Sequence, residues 1–494
     1  MTTGERIAQV RWEIAQGTAT DQHVAEHNRL VDKLDYEEFL ARKQRTVQRV
    51  GFEVDAEAIH PHLFPFQRDI VRWALRLGRA AIFAGTGLGK TRMQLEWARH
   101  VAVHTQRPVL ILAPLAVAQQ TVREGRLIDL DVLHVREVIE IGARGIYVTN
   151  YDRAERFDPA PFAGIVLDES SILKSHDGKT RTALIESWQG TRFRLCCTAT
   201  PAPNDFMELA NHAEFLGAMT RVEMLATFFV HDGGETQKWR LKGHAENDFW
   251  KWMASWCVMF QSPADLGYDG SAYVLPPLTI REHIVESAAT DSGLLFAVEA
   301  QTLNERRAAR RASIAARVRV IAEVVGRQPD EPWLIWCDLN DESAALVEAV
   351  PGSVEVRGSD SSDDKEARLL GFATGEHRVL VTKASIAGFG MNYQHCARIA
   401  FCGVSDSFEQ FYQAIRRCYR FGQHREVIVY VVTSSAENAV LQNLKRKERD
   451  AQRMVAAMIA QIQIHSEIGR VGSAMTTTPP RRYSIPDWLV TSDD

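Results

Sequence analysis

The run Ala84-Gly85-Thr86-Gly87-Leu88-Gly89-Lys90-Thr91 constrains what this chain can fold into more than any other stretch. An apolar run, Ala80-Ala81-Ile82-Phe83, leads into it, and a helical pattern beginning at Arg92-Met93-Gln94-Leu95 leads out. A strand, a glycine-rich loop and a helix in that order make a phosphate-binding P-loop. Gly85, Gly87 and Gly89 let successive backbone N–H groups, that of Thr86 among them, converge on a polyphosphate, and the positive end of the helix points at it. Lys90 is placed to reach the β- and γ-phosphates, and the Thr91 hydroxyl to ligate Mg2+. Ala84 stands where the pattern G-x-x-x-x-G-K-[ST] has its first glycine. An ordinary glycine-rich turn would not explain Gly-Lys-Thr opening a helix.

At 494 residues the chain is too long for one core and should divide into about three domains. A net charge of −5 gives no global basic signature, so contact with nucleic acid would need a local groove. The seven cysteines contain no C-x-x-C pair, and their odd number argues against a disulfide framework. No apolar segment reaches membrane-spanning length, and the polar start Met1-Thr2-Thr3-Gly4-Glu5-Arg6 is not a signal peptide, so the expected compartment is the cytoplasm.

From residue 79 to about 200, apolar runs alternate with helical patterns. Val109-Leu110-Ile111-Leu112, Ile146-Tyr147-Val148, Ile165-Val166-Leu167 and Phe193-Arg194-Leu195-Cys196 are continuous rather than alternating, as parallel strands buried on both faces are. A second rhythm of the same kind starts near residue 290, with strands expected at Trp333–Cys337, Val379–Val381 and Val427–Val432. The expected fold is α/β: two tandem doubly wound parallel-sheet lobes, a helical insertion, and helical extensions at both ends. The expected divisions are an N-terminal helical extension over 1–60, lobe 1 over 61–215, and a helical insertion and linker over 216–290. Lobe 2 follows over 291–440, and a helical or flexible tail over 441–494. Within the insertion, Lys238-Trp239-Arg240-Leu241-Lys242 mixes basic and aromatic residues as single-strand-binding surfaces do, though one pentapeptide is weak evidence.

The second chemical signal is Ile165-Val166-Leu167-Asp168-Glu169-Ser170-Ser171. Two adjacent carboxylates at the end of a buried strand are costly unless a metal and solvent satisfy them. Downstream of a P-loop they form a Walker B arrangement, with Asp168 holding Mg2+ and Glu169 polarising the attacking water as general base. In lobe 2, Gln413, Arg417 and Arg420 recur at intervals of four and three and are expected on one helical face that looks across the lobe cleft.

Set in order, these stretches resemble the superfamily 2 helicase-like ATPases, on the Swi/Snf-type translocase branch, of the small kind found in bacteriophages and prophages. Cys197-Thr198-Ala199-Thr200-Pro201 resembles the family's coupling motif, which implies that role for Thr198 and Thr200. Val381-Thr382-Lys383 through Gly388-Phe389-Gly390-Met391-Asn392 is similar to motif V, and Gln413 through Gln423 to motif VI, Q-x-x-x-R-x-x-R-x-G-Q. The resemblance makes Arg420 an arginine finger, worth about 10³–10⁵ in rate in related NTPases, and Arg417 a coupling or phosphate contact. It sets Gly388 and Gln413 beside the nucleotide, and makes Gln67 in Pro65-Phe66-Gln67 the reader of the adenine edge, favouring ATP over GTP. Pro114, Asn150, Tyr151, Thr382 and Lys383 match loops that hold a nucleic-acid strand in the family. Asp-Glu-Ser-Ser and Thr-Ala-Thr depart from the better-known forms of their motifs while keeping the chemistry. The function implied is an ATP- and Mg2+-dependent translocase or helicase on DNA, double- or single-stranded, ahead of RNA. A nucleotide-switched clamp with slow hydrolysis is the rival reading, and so is the motor subunit of a restriction or modification system. Protein partners such as a methyltransferase or a replication or recombination factor fit the same resemblance.

Overall fold

The computed structural model describes residues 44–46, 49–114, 117–174, 178–202, 206–231, 239–286, 310–387, 391–405, 407–465 and 482–484. Most of the expected N-terminal helical extension, most of the residues beyond 465, Lys238 and Gly388 lie outside the described residues; within the two ends, Gln44–Thr46 and Arg482–Ser484 form an antiparallel strand pair where helical or flexible segments were expected.

Lobe 1 begins with helix α1, Pro65–Leu77. Proline sits at its first turn, where no N–H is needed, and Gly78 ends it in the left-handed conformation at φ 75. Strand β1, Arg79–Ala84, runs into the glycine loop, and helix α2, Lys90–Thr105, leaves it. Then follow β2 (Val109–Ala113), α3 (Ala118–Arg126), β3 (Val132–His134), β4 (Ile146–Asn150), β5 (Gly164–Asp168), α4 (Lys179–Trp188) and β6 (Phe193–Thr198). Alternate residues of one strand enter opposite cores. Phe83, Leu110 and Leu112 face one apolar cluster, and Ile82, Val109 and Ile111 the other. Both faces are therefore covered, which is why these strands read as unbroken apolar runs.

Helix α5 (Leu209–Leu216) closes the expected lobe 1, and the segment expected as a helical insertion and linker, 216–290, does contain helices, α6 (Arg221–Phe228) and α7 (Glu246–Ala254). It also holds a short antiparallel hairpin, β7 (Phe229–His231) with β8 (Trp239–Leu241). Beyond that it supplies an edge strand to each lobe. Strand β9, Cys257–Phe260, pairs in parallel with β1 and completes a seven-stranded sheet of order β9-β1-β6-β5-β2-β4-β3. Strand β10, Leu278–Val285, pairs in parallel with the final strand of lobe 2.

Lobe 2 comprises α8 (Ile314–Gly326), β11 (Trp333–Cys337), α9 (Asn340–Ala349), β12 (Ser353–Val356) and α10 (Ser362–Thr374). It continues through β13 (Val379–Lys383), α11 (Ala384–Ala387), β14 (Arg398–Cys402), α12 (Phe408–Ile415) and β15 (Val427–Ser434). Its six parallel strands take the order β10-β15-β14-β11-β13-β12. Helix α13, Asn438–His465, then straps the lobes together. Its Val440, Leu441 and Leu444 join the core of lobe 2, while Met458 is fully buried in the core of lobe 1.

Candidate active site at the lobe interface

The C-terminal ends of β1 and β5 face a cleft of about 310 Å³ whose far wall belongs to lobe 2. Lobe 1 contributes Gln67, Thr86, Gly87, Gly89, Lys90, Thr91, Asp168 and Glu169; lobe 2 contributes Asn392, Gln394, Arg417, Arg420 and Phe421. The glycine loop turns through two positive φ angles, 90 at Gly87 and 79 at Gly89, a region that costs other residues about 1–2 kcal/mol. The Gly85 N–H is already engaged, donating to the Phe260 carbonyl at 2.9 Å, so the edge strand β9 props the loop.

The Lys90 ammonium is turned back on the loop, donating to the Ala84 carbonyl at 2.9 Å. Burial pulls its pKa down, opposed by the carboxylates of Glu169 and Asp168. Burial raises the Asp168 carboxyl to about 7, the Glu169 charge adds to this, and Lys90 opposes it. Glu169 lies in the left-handed region at φ 55, unusual for a residue with a side chain, and its carboxylate accepts a hydrogen bond from the Thr198 hydroxyl at 3.2 Å. The Thr200 N–H donates in turn to Thr198 Oγ1 at 3.1 Å, so the two candidate coupling threonines form one chain to Glu169. Thr200 also lines a second, more apolar cavity of about 510 Å³, bordered by Phe411, Tyr419 and, from α13, Glu448 and Ile459.

Helix α12 ends at Ile415, so Gln413 lies on it while Arg417 and Arg420 lie in the turns that follow. One helical face therefore does not align the three residues. Hydrogen bonds do: Arg417 Nη2 donates to Gln413 Oε1 at 2.9 Å and Arg417 Nη1 to the Met391 carbonyl at 3.3 Å. Arg420 Nη1 donates to Asn392 Oδ1. Burial, and then the neighbouring Arg417 charge, lower the Arg420 pKa to about 9. Arg420 Nε, Gln413 Nε2 and Thr86 Oγ1 are buried with no hydrogen-bond partner among the described residues. Buried donors of this kind are satisfied in native proteins or await a ligand.

Gln67 has one amide bond on each side committed, Nε2 donating to the Leu88 carbonyl at 2.9 Å and Oε1 accepting from the Phe64 N–H at 3.0 Å. Next to it, Tyr273 stacks on Phe421 with ring centroids 4.6 Å apart and meets Phe64 edge-on at 5.9 Å. Tyr273 carries no signal in the sequence, since nothing local ties it to a loop far upstream. Phe421 and Asn392 fall inside quoted motifs but had no assigned part.

The five candidate nucleic-acid residues do not line this cleft. Pro114, Asn150 and Tyr151, and Thr382 and Lys383, sit at the C-terminal ends of β2, β4 and β13. Pro114 and Lys383 are half-buried; Asn150, Tyr151 and Thr382 are buried, the Thr382 hydroxyl donating to the Val356 carbonyl at 3.1 Å.

Residues 316–422, most of lobe 2, match the family described as helicase conserved C-terminal domain. A stretch of the chain is 31% identical over 176 residues to protein p41 of Acyrthosiphon pisum secondary endosymbiont phage 1, covering 31% of this chain. The chain spans 38% of the length of that relative. Among solved structures, the Sulfolobus solfataricus SWI2/SNF2 ATPase core in complex with dsDNA superposes with a TM-score of 0.40 at 17% identity, covering 84% of this chain and 97% of that one.

Proposed function

We propose that this superfamily 2 helicase-like chain hydrolyses ATP between its two lobes and couples the cycle to movement on DNA. The observation that carries the reading is the composition of the cleft: glycine loop, paired carboxylates and two arginines, drawn from both lobes around one space. Its residues fit a magnesium nucleotide. Unpartnered donors at Thr86 and Arg420, both lining the cleft, suit a polyanion, and the adjacent Asp168 and Glu169 carboxylates, whose burial and mutual repulsion raise the Asp168 pKa, suit a cation. Among the described residues no group of three or more His, Cys, Asp or Glu could hold a metal unaided. Mg2+ commonly takes only one or two carboxylates and shares the substrate's phosphates, so Thr91 and Asp168 would suffice. The bound ion would neutralise phosphate charge.

In this reading Lys90 swings from the loop carbonyls to the phosphates, and Glu169, held by Thr198, orients and polarises the attacking water. Arg420 and Arg417 stabilise charge on the transferring phosphoryl group, and they do so only when the lobes are together. Phe64, Tyr273 and Phe421 offer flat apolar faces to a purine. Hydrolysis removes the contact that holds the lobes closed, and alternation of closed and open states supplies the motion. Among the described residues no helix is long and apolar enough to cross a membrane, in keeping with work in the cytoplasm of a bacterial or phage-infected cell.

The test is ATPase rate with duplex DNA, single-stranded DNA and RNA, wild type against Glu169→Gln. Stimulation by DNA that Glu169→Gln abolishes supports the motor. Tight ATP-dependent DNA binding with little turnover would favour a clamp, and indifference to every polymer would sink both.

A further inference from the structure

Helix α3 turns one face to the cleft. Val117 at its N-terminal end, then Gln120 and Glu124 at helical intervals of three and four, line the same space as the glycine loop. The Glu124 side chain is 24% exposed. Its Oε2 accepts a hydrogen bond from Arg92 Nε at 3.1 Å, and Arg92, one residue past Thr91 in the first turn of α2, also lines the cleft. Glu124 Oε1 has no hydrogen bond among the described residues. A carboxylate facing a space suited to a polyanion is repelled by phosphate oxygens, so it must meet some other part of the ligand.

The position of the pair narrows what that part is. Arg92 stands near enough to Tyr273 for its charge to oppose the effect of burial, which pushes the phenol up to about 12. Glu124 stands near enough to Arg420 for its charge to oppose the fall that burial and Arg417 cause there. The pair thus has the aromatic wall of Tyr273 and Phe421 within electrostatic reach on one side and the candidate phosphate arginine on the other. In a nucleoside triphosphate the group between an aromatic base and the phosphates is ribose, and its hydroxyls are neutral donors.

We infer that Glu124, held by Arg92, selects the sugar of the nucleotide by accepting hydrogen bonds from its vicinal 2′- and 3′-hydroxyls. This rests on the ATP-hydrolysis reading above and deepens it: the substrates are ribonucleoside triphosphates in preference to their deoxy counterparts. Carboxylates do this for the ribose of bound dinucleotides on other parallel sheets. Arg92 fixes one carboxylate oxygen by a charge-assisted bond and so presents the other already oriented. Neither residue had an expected part, since one opens a helix and the other closes the next, and only packing sets them together.

The wild-type chain supplies the first measurement: kcat/KM for MgATP, 2′-dATP and 3′-dATP with duplex DNA present. Removing either hydroxyl leaves a charged acceptor short of a donor, and kcat/KM is expected to fall about five- to thirtyfold, mostly through KM. Glu124→Gln keeps the size and removes the charge. It should lower kcat/KM for ATP by a similar factor and leave the deoxy substrates nearly unchanged, so that the preference shrinks to about threefold or less. Wild-type values for ATP and both deoxy analogues within about twofold of one another overturn the inference. So does a Glu124→Gln enzyme that loses equally on all three, which would show Glu124 acting only through Arg92 or Arg420. Calorimetric binding of MgADP against 2′-deoxy-ADP reads the same preference without turnover, and equal affinities there also overturn it. If the wild type binds neither ATP nor ADP, the nucleotide reading itself fails and takes this inference with it; ATP hydrolysis with no preference for ribose sinks the inference alone.

Discussion

Gly87→Ala probes the closed arrangement of the lobes most directly. A Cβ built at Gly87 would lie 2.9 Å from the Phe421 backbone nitrogen and 3.0 Å from the Phe421 Cβ, across the cleft. Two penalties follow, and they differ in when they apply. The left-handed φ of 90 costs an L-residue about 1–2 kcal/mol whether the lobes are apart or together. The overlap exists only when lobe 2 is docked. Because the first atom met is backbone, no rotamer change relieves it. The Phe421 segment would have to shift, although Gln394 Nε2 holds its carbonyl at 2.8 Å and Tyr273 stacks on its ring. Overpacking of that order costs about 1–3 kcal/mol, which translates into a kcat lower by about five- to 150-fold. The assay is steady-state ATP hydrolysis at saturating ATP and DNA, with melting and nucleotide affinity measured alongside. Gly190→Ala, with nothing within 4 Å of the added methyl, is the control and should match wild type. A Gly87→Ala enzyme with kcat within about twofold of wild type would refute the reasoning. So would damage confined to nucleotide affinity, since the fault would then lie in the loop alone.

Glu409→Gln breaks the ion pair that Lys174 makes across the lobes, whose carboxylate is 6% exposed and whose ammonium is 40% exposed. Binding of a non-hydrolysable ATP analogue should weaken about threefold to tenfold, with the difference shrinking at high salt; unchanged affinity would remove this pair from closure. Met458→Ala empties a fully buried site at which α13 enters lobe 1 and should cost about 2–4 kcal/mol, read as a lower denaturant midpoint; an unmoved midpoint would mean the strap does not support lobe 1. Burial holds His212 at a pKa of about 4 against an ordinary 6.5. The unfolded chain therefore takes up this proton first, and stability should fall by about 3 kcal/mol as pH drops from about 6.5 to about 4. His212→Gln should flatten that limb in pH-dependent melts, and an identical slope would show that His212 does not set it.

The candidate phosphate-binding residues could be picked out in the sequence because their signals are local. A glycine loop must follow one strand and open one helix, so Gly85 to Thr91 announce their own geometry, and Asp168-Glu169 declare themselves as charges no buried strand end would otherwise tolerate. The strands of both sheets were legible for a similar reason: burial on two faces leaves unbroken apolar runs such as Val109–Leu112 and Val427–Val432. The alignment of Gln413, Arg417 and Arg420 by helical spacing was misread, since the helix stops at Ile415 and hydrogen bonds to Gln413, Met391 and Asn392 replace periodicity.

Sequence alone thus singled out the candidate phosphate-binding residues and settled that two parallel sheets would form, because turn chemistry and two-sided burial are written within a few neighbouring residues. Tertiary structure alone decided that Cys257–Phe260 props the glycine loop, that Tyr273 meets Phe421 over the cleft, that one helix enters both cores, and that the Tyr151 hydroxyl reaches the Asp168 carbonyl. Those contacts join residues far apart along the chain, and nothing in the composition of either partner encodes the other until packing brings them together.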